Sequence, residues 1–260
     1  MRRGKLRGIL ILLLLLLFLS GLSILLFPHL WGAFVDHEIL VDAKEFLTRV
    51  EILPTEEPED LVIVDPPVVT EPARQYPDLW EDMLTYNETI YAQGQSGLSC
   101  EYDYQKPSFY LTQYGLEDEV FGVISIPAME LKMPIYLGAT NQHMADGATH
   151  LSQTSLPIGG MNTNCVIAGH RGYNGAAYFR YVTDLKPGDE VIITNLWETM
   201  TYVVTDTQII KPNEVDQILI QEGRDMITLL TCHPYASGGK QRFLVFCDRV
   251  TEEGGTYEYN

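Results

Sequence analysis

The first long apolar stretch of the chain, residues 8–27, contains 20 uncharged residues dominated by Leu and Ile. Twenty residues of α-helix rise about 30 Å, which matches the hydrocarbon core of a bilayer. Four basic residues and no acidic one precede it within residues 1–7. The pattern predicts an uncleaved signal anchor, single-pass, with its N-terminus in the cytoplasm and the rest of the chain outside. The alternative is a cleaved secretory signal, whose apolar core is usually shorter.

Residues 28–82 change pattern twice. Val35–Val50 has apolar positions at helical spacing and predicts a short amphipathic juxtamembrane helix. Five prolines then recur among acidic residues between positions 54 and 72, and proline disfavours both helix and central strand. We therefore expect an extended, solvated acidic tether that holds the following domain off the membrane.

From residue 120 onward the chain consists of short apolar runs rich in Val, Ile, Thr and Tyr, separated by Gly, Pro and Asn. At least seven such runs predict β-strands. Val215–Leu219 has the apolar spacing of a helix, with Asn213 as its expected N-cap. Asn195–Thr199 has the composition of a hairpin loop. So many short strands with few helices predict a sandwich or a closed barrel. The predicted strands are Phe121–Ile126, Leu131–Leu137, Cys165–Gly169, Glu190–Thr194, Met200–Ile210, Met226–Cys232 and Phe243–Cys247.

These patterns divide the part of the chain beyond the tether into three. Residues 83–119 are expected to form a helical or irregular N-terminal segment of the folded domain, residues 120–251 its β-barrel or sandwich, and residues 252–260 a polar C-terminal tail.

The net charge and the cysteines narrow the class of protein. The 260 residues carry a formal charge of −18, which excludes a nucleic-acid binder that works through a general basic surface. The four cysteines form no C-x-x-C pair of the kind that binds zinc or runs dithiol redox chemistry, and there is no D-x-D-x-D-G loop for calcium. We therefore expect no metal and no cofactor, and a free reactive thiol is the feature to look for.

Cys232 is the best-placed thiol. It ends an apolar strand and lies two residues before Pro234, so a strand edge would hold it firmly while leaving it accessible; a small buried hydrophobe is the commoner fate of a free cysteine. Gly238 and Gly239 allow the chain to turn back and place Arg242 antiparallel beside Cys232. Arginine stays protonated and suits a developing oxyanion, although a surface ion pair is the alternative role.

Histidine is the expected acid or base for such a thiol. His170 ends the run that begins at Cys165, at the point where a buried-looking strand breaks into a Gly- and Asn-rich loop. A single histidine at a strand end is more often structural. His233 follows Cys232 directly, and because neighbouring side chains of a strand point to opposite faces, we expect it at a rim and not aimed at the thiol.

The combination of these motifs resembles the sortase family of Gram-positive transpeptidases. Thr228-Leu-Leu-Thr-Cys232-x-Pro-Tyr is followed ten residues later by Arg242, and Ala-Gly-His170-Arg-Gly lies 62 residues before the cysteine. Further runs match in order, namely Gly122-Val-Ile-Ser-Ile-Pro, Met133-Pro-Ile-Tyr-Leu-Gly, Gly147-Ala-Thr-His-Leu and Ser155-Leu-Pro-Ile-Gly-Gly. The resemblance covers about residues 120–250 and implies a mainly β fold: a closed β-barrel of about eight strands with short helices, preceded by the transmembrane helix.

The resemblance also implies roles. Cys232 would attack the Thr–Gly bond of a Leu-Pro-X-Thr-Gly-like sorting signal, His170 would act as general acid and then as general base, and Arg242 would position substrate and stabilise the tetrahedral intermediate. An amine would resolve the thioester, which makes the reaction a transpeptidation. The residues expected around the substrate groove are Thr231, His233, Tyr235 and Arg171. The other barrel cysteines, Cys165 and Cys247, are expected to pack in its wall.

Among sortases the motifs look most like class C, the pilin polymerases, for which the amine is a pilin lysine. Class C enzymes carry an N-terminal lid with an Asp-Pro-aromatic anchor, and Tyr76-Pro-Asp78-Leu-Trp80 resembles it, with Leu79 where proline is usual. Asp78 is then expected near Arg242 or the thiol and Trp80 in the groove; the alternative is an exposed Asp78 and a docked Trp80.

The polar residues after Thr251 differ from the second membrane helix of many class C enzymes. A housekeeping-type or spore-associated sortase that anchors surface proteins to a peptidoglycan precursor is therefore the alternative. A tethered, non-enzymatic binding module is a more distant one. Cys100, in the Tyr-rich stretch near Tyr102, has no assigned role.

Overall fold

The computed structural model describes residues 2–52, 74–98 and 105–250. Most of the predicted acidic tether, Cys100 and the tail 252–260 lie outside the described residues. The α-helices are α1 (Arg2–Ile52), α2 (Pro77–Ala92) and α3 (Asn141–Asp146). The strands are β1 (Val120–Ile126), β2 (Leu131–Leu137), β3 (Ala148–His150), β4 (Thr163–Ala168), β5 (Glu190–Asn195), β6 (Thr199–Ile210), β7 (Asp225–His233) and β8 (Gln241–Arg249).

The eight strands close into one barrel in the order β1-β2-β3-β4-β7-β8-β6-β5. The pairs β2–β3 and β4–β7 are parallel and the other neighbours are antiparallel. The closed barrel with few short helices is thereby confirmed. The strand that the sequence does not indicate, β3, has only three residues and is too short to show a period. The helical pattern after Asn213 forms only a 3₁₀ turn, Val215–Ile218, which begins after Glu214.

Alternate residues of the strands fill the barrel interior, which is the largest part of the hydrophobic core. Cys165 and Cys247 lie in it and are at most 3% exposed. Burial raises the pKa of both thiols well above the usual range. These two cysteines are therefore packing residues, as expected for the barrel wall.

The helix α1 runs without interruption through Pro28, whereas the sequence suggested an anchor ending at residue 27 and a separate helix over Val35–Val50. Between Gly8 and Glu51 this helix is long and apolar enough to cross a membrane, by its length and composition. Its second half turns one face to β1 and β2, and Ile39, Ala43 and Phe46 on that face are at most 5% exposed. The helix α1 is thus part of the folded domain and continues without a break through Pro28.

The helix α2 covers another part of the barrel. Leu79, Met83 and Ile90 are buried at helical spacing, and the first two belong to the same cluster as Phe121 on β1. The ring of Trp80 meets Trp197 edge-on, with 4.9 Å between ring centroids.

The structure favours the alternative, an exposed Asp78 and a docked Trp80, over an active-site lid. Trp197 lies in the turn between β5 and β6, whereas Arg242 pairs with Ile210 at the far end of β6. A strand of 12 residues spans roughly 35–40 Å. Trp80 is accordingly near the opposite end of the barrel from Arg242, and Asp78 is exposed in the first turn of α2. The physical reason is the apolar stripe of α2, which folds this segment into a docked helix.

Replacing either lid candidate by alanine is expected to leave the alkylation rate of Cys232 unchanged. Trp80→Ala removes the contact with Trp197 and should lower the free energy of unfolding by about 1–3 kcal/mol. Thiol labelling followed by mass spectrometry, and denaturant unfolding of the same variants, measure the two effects. A several-fold faster alkylation in Asp78→Ala or Trp80→Ala would restore the lid.

Candidate active site

The pairing of three adjacent strands brings three candidate side chains together. In the parallel pair β4–β7, Ala168 lies opposite Leu230, and the amide of Gly169 continues the ladder by donating to the Leu230 carbonyl. Continued by two residues, this register places His170 beside Cys232, and both residues line the same cavity. In the antiparallel pair β7–β8, Cys232 lies directly opposite Arg242. Neighbouring strands are about 4.8 Å apart, so the register aligns imidazole, thiol and guanidinium in one row.

The row opens into a cavity of about 340 Å³ on the outer face of the sheet. Most of the cavity lining is apolar, and the 3₁₀ turn Val215–Ile218 forms one wall. The polar groups of the row, His170, Cys232 and Arg242, all line it. The apolar lining residues include Ala139, Met144, Leu151, Ala168, Ile210 and Leu230. The cavity can therefore hold an extended peptide with apolar side chains against a reactive end.

The loop between β7 and β8 closes over the thiol. Gly239 has φ +77°, and a Cβ there would lie 3.4 Å from the sulfur of Cys232 and 3.1 Å from Nη1 of Arg242. A side chain at this position would thus press on the Arg242 guanidinium and would also strain the backbone, whereas its contact with the sulfur would be ordinary.

The same loop orients Arg242. Its Nη1 donates to the carbonyl oxygens of Gly239 at 2.7 Å and of Gln241 at 3.2 Å. These bonds hold the guanidinium beside Cys232, and its charge is permanent at any working pH. The arrangement provides N–H donors next to the sulfur, where an oxyanion would form on attack.

His170 is held by aromatic rings of the loop that follows it. Its imidazole stacks on Tyr173, with centroids 4.5 Å apart, and meets Tyr178 edge-on at 5.8 Å. The amide of Phe179 donates to the His170 carbonyl at 2.9 Å and closes the loop. Burial lowers the pKa of His170 below 6.5, so the imidazole is mainly neutral at pH 7. A neutral ring can accept the thiol proton.

Of the four residues expected around the substrate groove, only Thr231 lines the cavity, whereas Arg171, His233 and Tyr235 lie beside it. Thr231 lines the cavity, but it is buried, and its hydroxyl donates to the Gly169 carbonyl at 2.8 Å, which ties β7 to the end of β4. His233 faces away from the thiol, as the strand alternation predicted. Its Nδ1 accepts from Nη1 of Arg171 at 2.8 Å.

The exposed Tyr235 accepts a hydrogen bond from Arg180 at 3.2 Å. Arg171, His233 and Tyr235 thus form a neighbouring surface and do not line the cavity.

The sequence reasoning missed Tyr173, Tyr178 and the wall formed by Val215–Ile218. The two tyrosines follow the His-Arg-Gly motif within eight residues, and that spacing is the signal that could have drawn attention to them. Among the described residues no group of three or more His, Cys, Asp or Glu side chains could hold a metal ion.

A family model, a curated relative and solved structures all identify sortases as the proteins that this chain is similar to. The family model for the sortase domain matches residues 124–250. Sortase A of Bacillus anthracis is 28% identical over 132 residues, which are 51% of this chain and 60% of that protein. The chain thus spans about three fifths of this curated relative.

Two solved structures are matched by this chain over almost their whole length. Sortase C-1 from Actinomyces oris is 33% identical with a TM-score of 0.56, over 66% of this chain and 98% of the other. The Group B Streptococcus Pilus Island 1 sortase C2 is 28% identical with a TM-score of 0.58, over 67% and 98%. With a matching family model and a 33% identical solved structure covered over 98% of its length, the chain belongs to the sortase family.

Proposed function

We propose that this protein is a membrane-anchored cysteine transpeptidase that cleaves a Leu-Pro-X-Thr-Gly-like sorting signal between Thr and Gly and transfers the acyl group to an amine. The observation that carries the proposal is the row of His170, Cys232 and Arg242 at the reactive end of an apolar cavity. Each group has the chemistry that acyl transfer through a thioester requires.

In the first half-reaction, the proton of the Cys232 thiol passes to neutral His170 and the sulfur attacks the threonine carbonyl carbon. The carbonyl electrons move onto oxygen, and the guanidinium of Arg242 stabilises the resulting oxyanion. The C–N bond then breaks, and protonated His170 gives its proton to the departing glycine amine. The product is a thioester on Cys232, with His170 neutral again.

In the second half-reaction, an incoming amine attacks the thioester carbonyl. His170 takes a proton from that amine, Arg242 again faces the oxyanion, and collapse of the intermediate breaks the C–S bond. The new amide leaves, and the proton on His170 returns to the Cys232 thiolate.

The amine acceptor that we propose is a pilin lysine. Support comes from the class C sortases among the similar structures, one of them from a pilus island. The docked position of α2 gives no support to the class C assignment, because Asp78 and Trp80 do not reach the cavity. Transfer of a surface protein to a peptidoglycan-precursor amine is the second candidate, and it is favoured by the likeness to a sortase A.

We further propose that residues 8–27 of α1 cross the cell membrane with residues 1–7 in the cytoplasm. The excess of basic residues before the apolar segment supports this orientation. The catalytic barrel then lies outside the cell, where surface proteins and pilins arrive.

Cys232→Ala is expected to abolish acyl-enzyme formation, whereas Cys247→Ala should retain it at a modest cost in stability, because Cys247 is buried in the core. Mass spectrometry of the full chain in detergent, mixed with sorting peptides and either a pilin-lysine peptide or a precursor-type amine, detects the thioester and the preferred acceptor together. Acylation of the Cys232→Ala chain, or none of the wild type by any peptide of this type, would contradict the proposal.

The pKa of His170 is expected below 6.5, because burial disfavours the charged imidazolium. The base form needed for amine attack then persists as the pH falls to 6.5 and is lost only below the shifted value. Titration of the His170 ring by NMR, in chains selectively labelled at histidine, measures it directly. A pKa above 6.5 would contradict the prediction, because it would mean that the protein stabilises the charged imidazolium of His170 and not the neutral ring.

A further inference from the structure

The helix α1 touches the loop that carries the partners of His170. Gly32 is buried against Gly175, and a Cβ added at Gly32 would overlap the Gly175 carbonyl and lie 2.9 Å from its Cα. From the other side, a Cβ at Gly175 would overlap the carbonyl oxygen of Pro28 and lie 3.1 Å from the Gly32 Cα. Two glycines are therefore required for this backbone-to-backbone contact.

Two further contacts follow at helical spacing along the same face. The amide of Ala177 donates to Oδ1 of Asp36 at 2.9 Å. One turn later, Ile39 is 5% exposed and belongs to the same buried cluster as Ala176 and Tyr178. The loop is thus fixed to α1 by close packing, by a hydrogen bond to a charged group and by hydrophobic burial.

The contacted loop segment lies between the two rings that hold His170. Tyr173 stacks on the imidazole before the segment, and Tyr178 meets it edge-on directly after Ala177. Tyr173 and Ala176 pair across the turn, so the segment moves as one unit. A shift of this turn would displace both rings that define the position of His170.

Gly32 lies five residues beyond Phe27, the end of the apolar segment. Five residues of helix correspond to about 7 Å, so the contact lies close to the point where α1 is proposed to leave the hydrocarbon core. The part of the anchor that meets the His170 loop is therefore itself held in place by the membrane.

We propose that Gly32 and Asp36 of the anchor helix are positioning residues for His170, which hold its loop in the geometry that acyl transfer needs. This inference rests on the proposed transpeptidase function. It adds that the anchor, besides retaining the enzyme at the membrane, completes the active site.

The test compares matched substitutions in the full chain in lipid nanodiscs. Gly32→Ala introduces a methyl group into the contact and Gly21→Ala introduces the same group where nothing lies within 4 Å. Alanine ordinarily stabilises a helix relative to glycine, so a loss in Gly32→Ala alone reports the contact. Asp36→Ala removes the acceptor of the Ala177 amide, and Asp36→Asn keeps an oxygen acceptor at the same place.

The expected result is a fall in kcat of about 10- to 100-fold for Gly32→Ala, with KM for the sorting peptide within about twofold, because the apolar wall of the cavity lies on other elements, at Ile210, Val215 and Leu230. Asp36→Ala should lower kcat about fivefold, with recovery in Asp36→Asn to within about twofold of the wild type. Gly21→Ala should match the wild type in both constants.

A second readout is independent of activity. The His170 ring resonances lie under the ring current of Tyr173, so NMR of histidine-labelled chains should show them displaced in Gly32→Ala and Asp36→Ala and unchanged in Gly21→Ala and Asp36→Asn. Unchanged resonances and kcat in Gly32→Ala and Asp36→Ala would overturn the inference, as would equal losses of kcat in Gly21→Ala. If the wild-type chain forms no acyl-enzyme, the proposed function fails, and the resonances alone decide whether α1 positions His170.

Discussion

The pairing of β7 with its two neighbours is the constraint on which the site depends. Side chains alternate between the two faces of a strand, so a slip of β7 by one residue would exchange Cys232 for Thr231 or His233 in the row. The barrel fixes this register because β7 presents its interior residues to the core and its outer residues to the cavity. The geometry of the reactive groups is therefore a consequence of core packing.

Three cysteines of the barrel show how placement decides chemistry. Cys165 and Cys247 point into the interior, where burial raises the pKa of each thiol and no substrate can reach the sulfur. Cys232 lines the cavity and lies directly opposite Arg242. The same side chain is thus inert in two places and suited to nucleophilic attack in the third.

The local patterns of the sequence were sufficient for seven of the eight strands. They were also sufficient for the pair of Cys232 and Arg242, because a short glycine-containing turn joins these residues. The position of His170 beside Cys232 could not be predicted from local patterns, because it depends on the parallel pairing of β4 with β7 across 62 residues of chain. The family motifs gave this prediction. The segment from Tyr76 to Trp80 was interpreted as the anchor of a lid because its residues are compatible both with a loop and with the start of a helix. Only the burial of Leu79 and Met83 against the barrel decides for the helix.

The continuity of α1 also sets the limits of the unit that folds together. The family likeness begins at residue 124, yet the hydrophobic core already includes Ile39 and Phe46 on α1. Cutting the chain after α1 would leave their partners on β1 and β2 facing water as an apolar patch, a surface that promotes association. A chain cut at this point is therefore expected to aggregate, and α1 contributes to the solubility of the barrel as well as to its core.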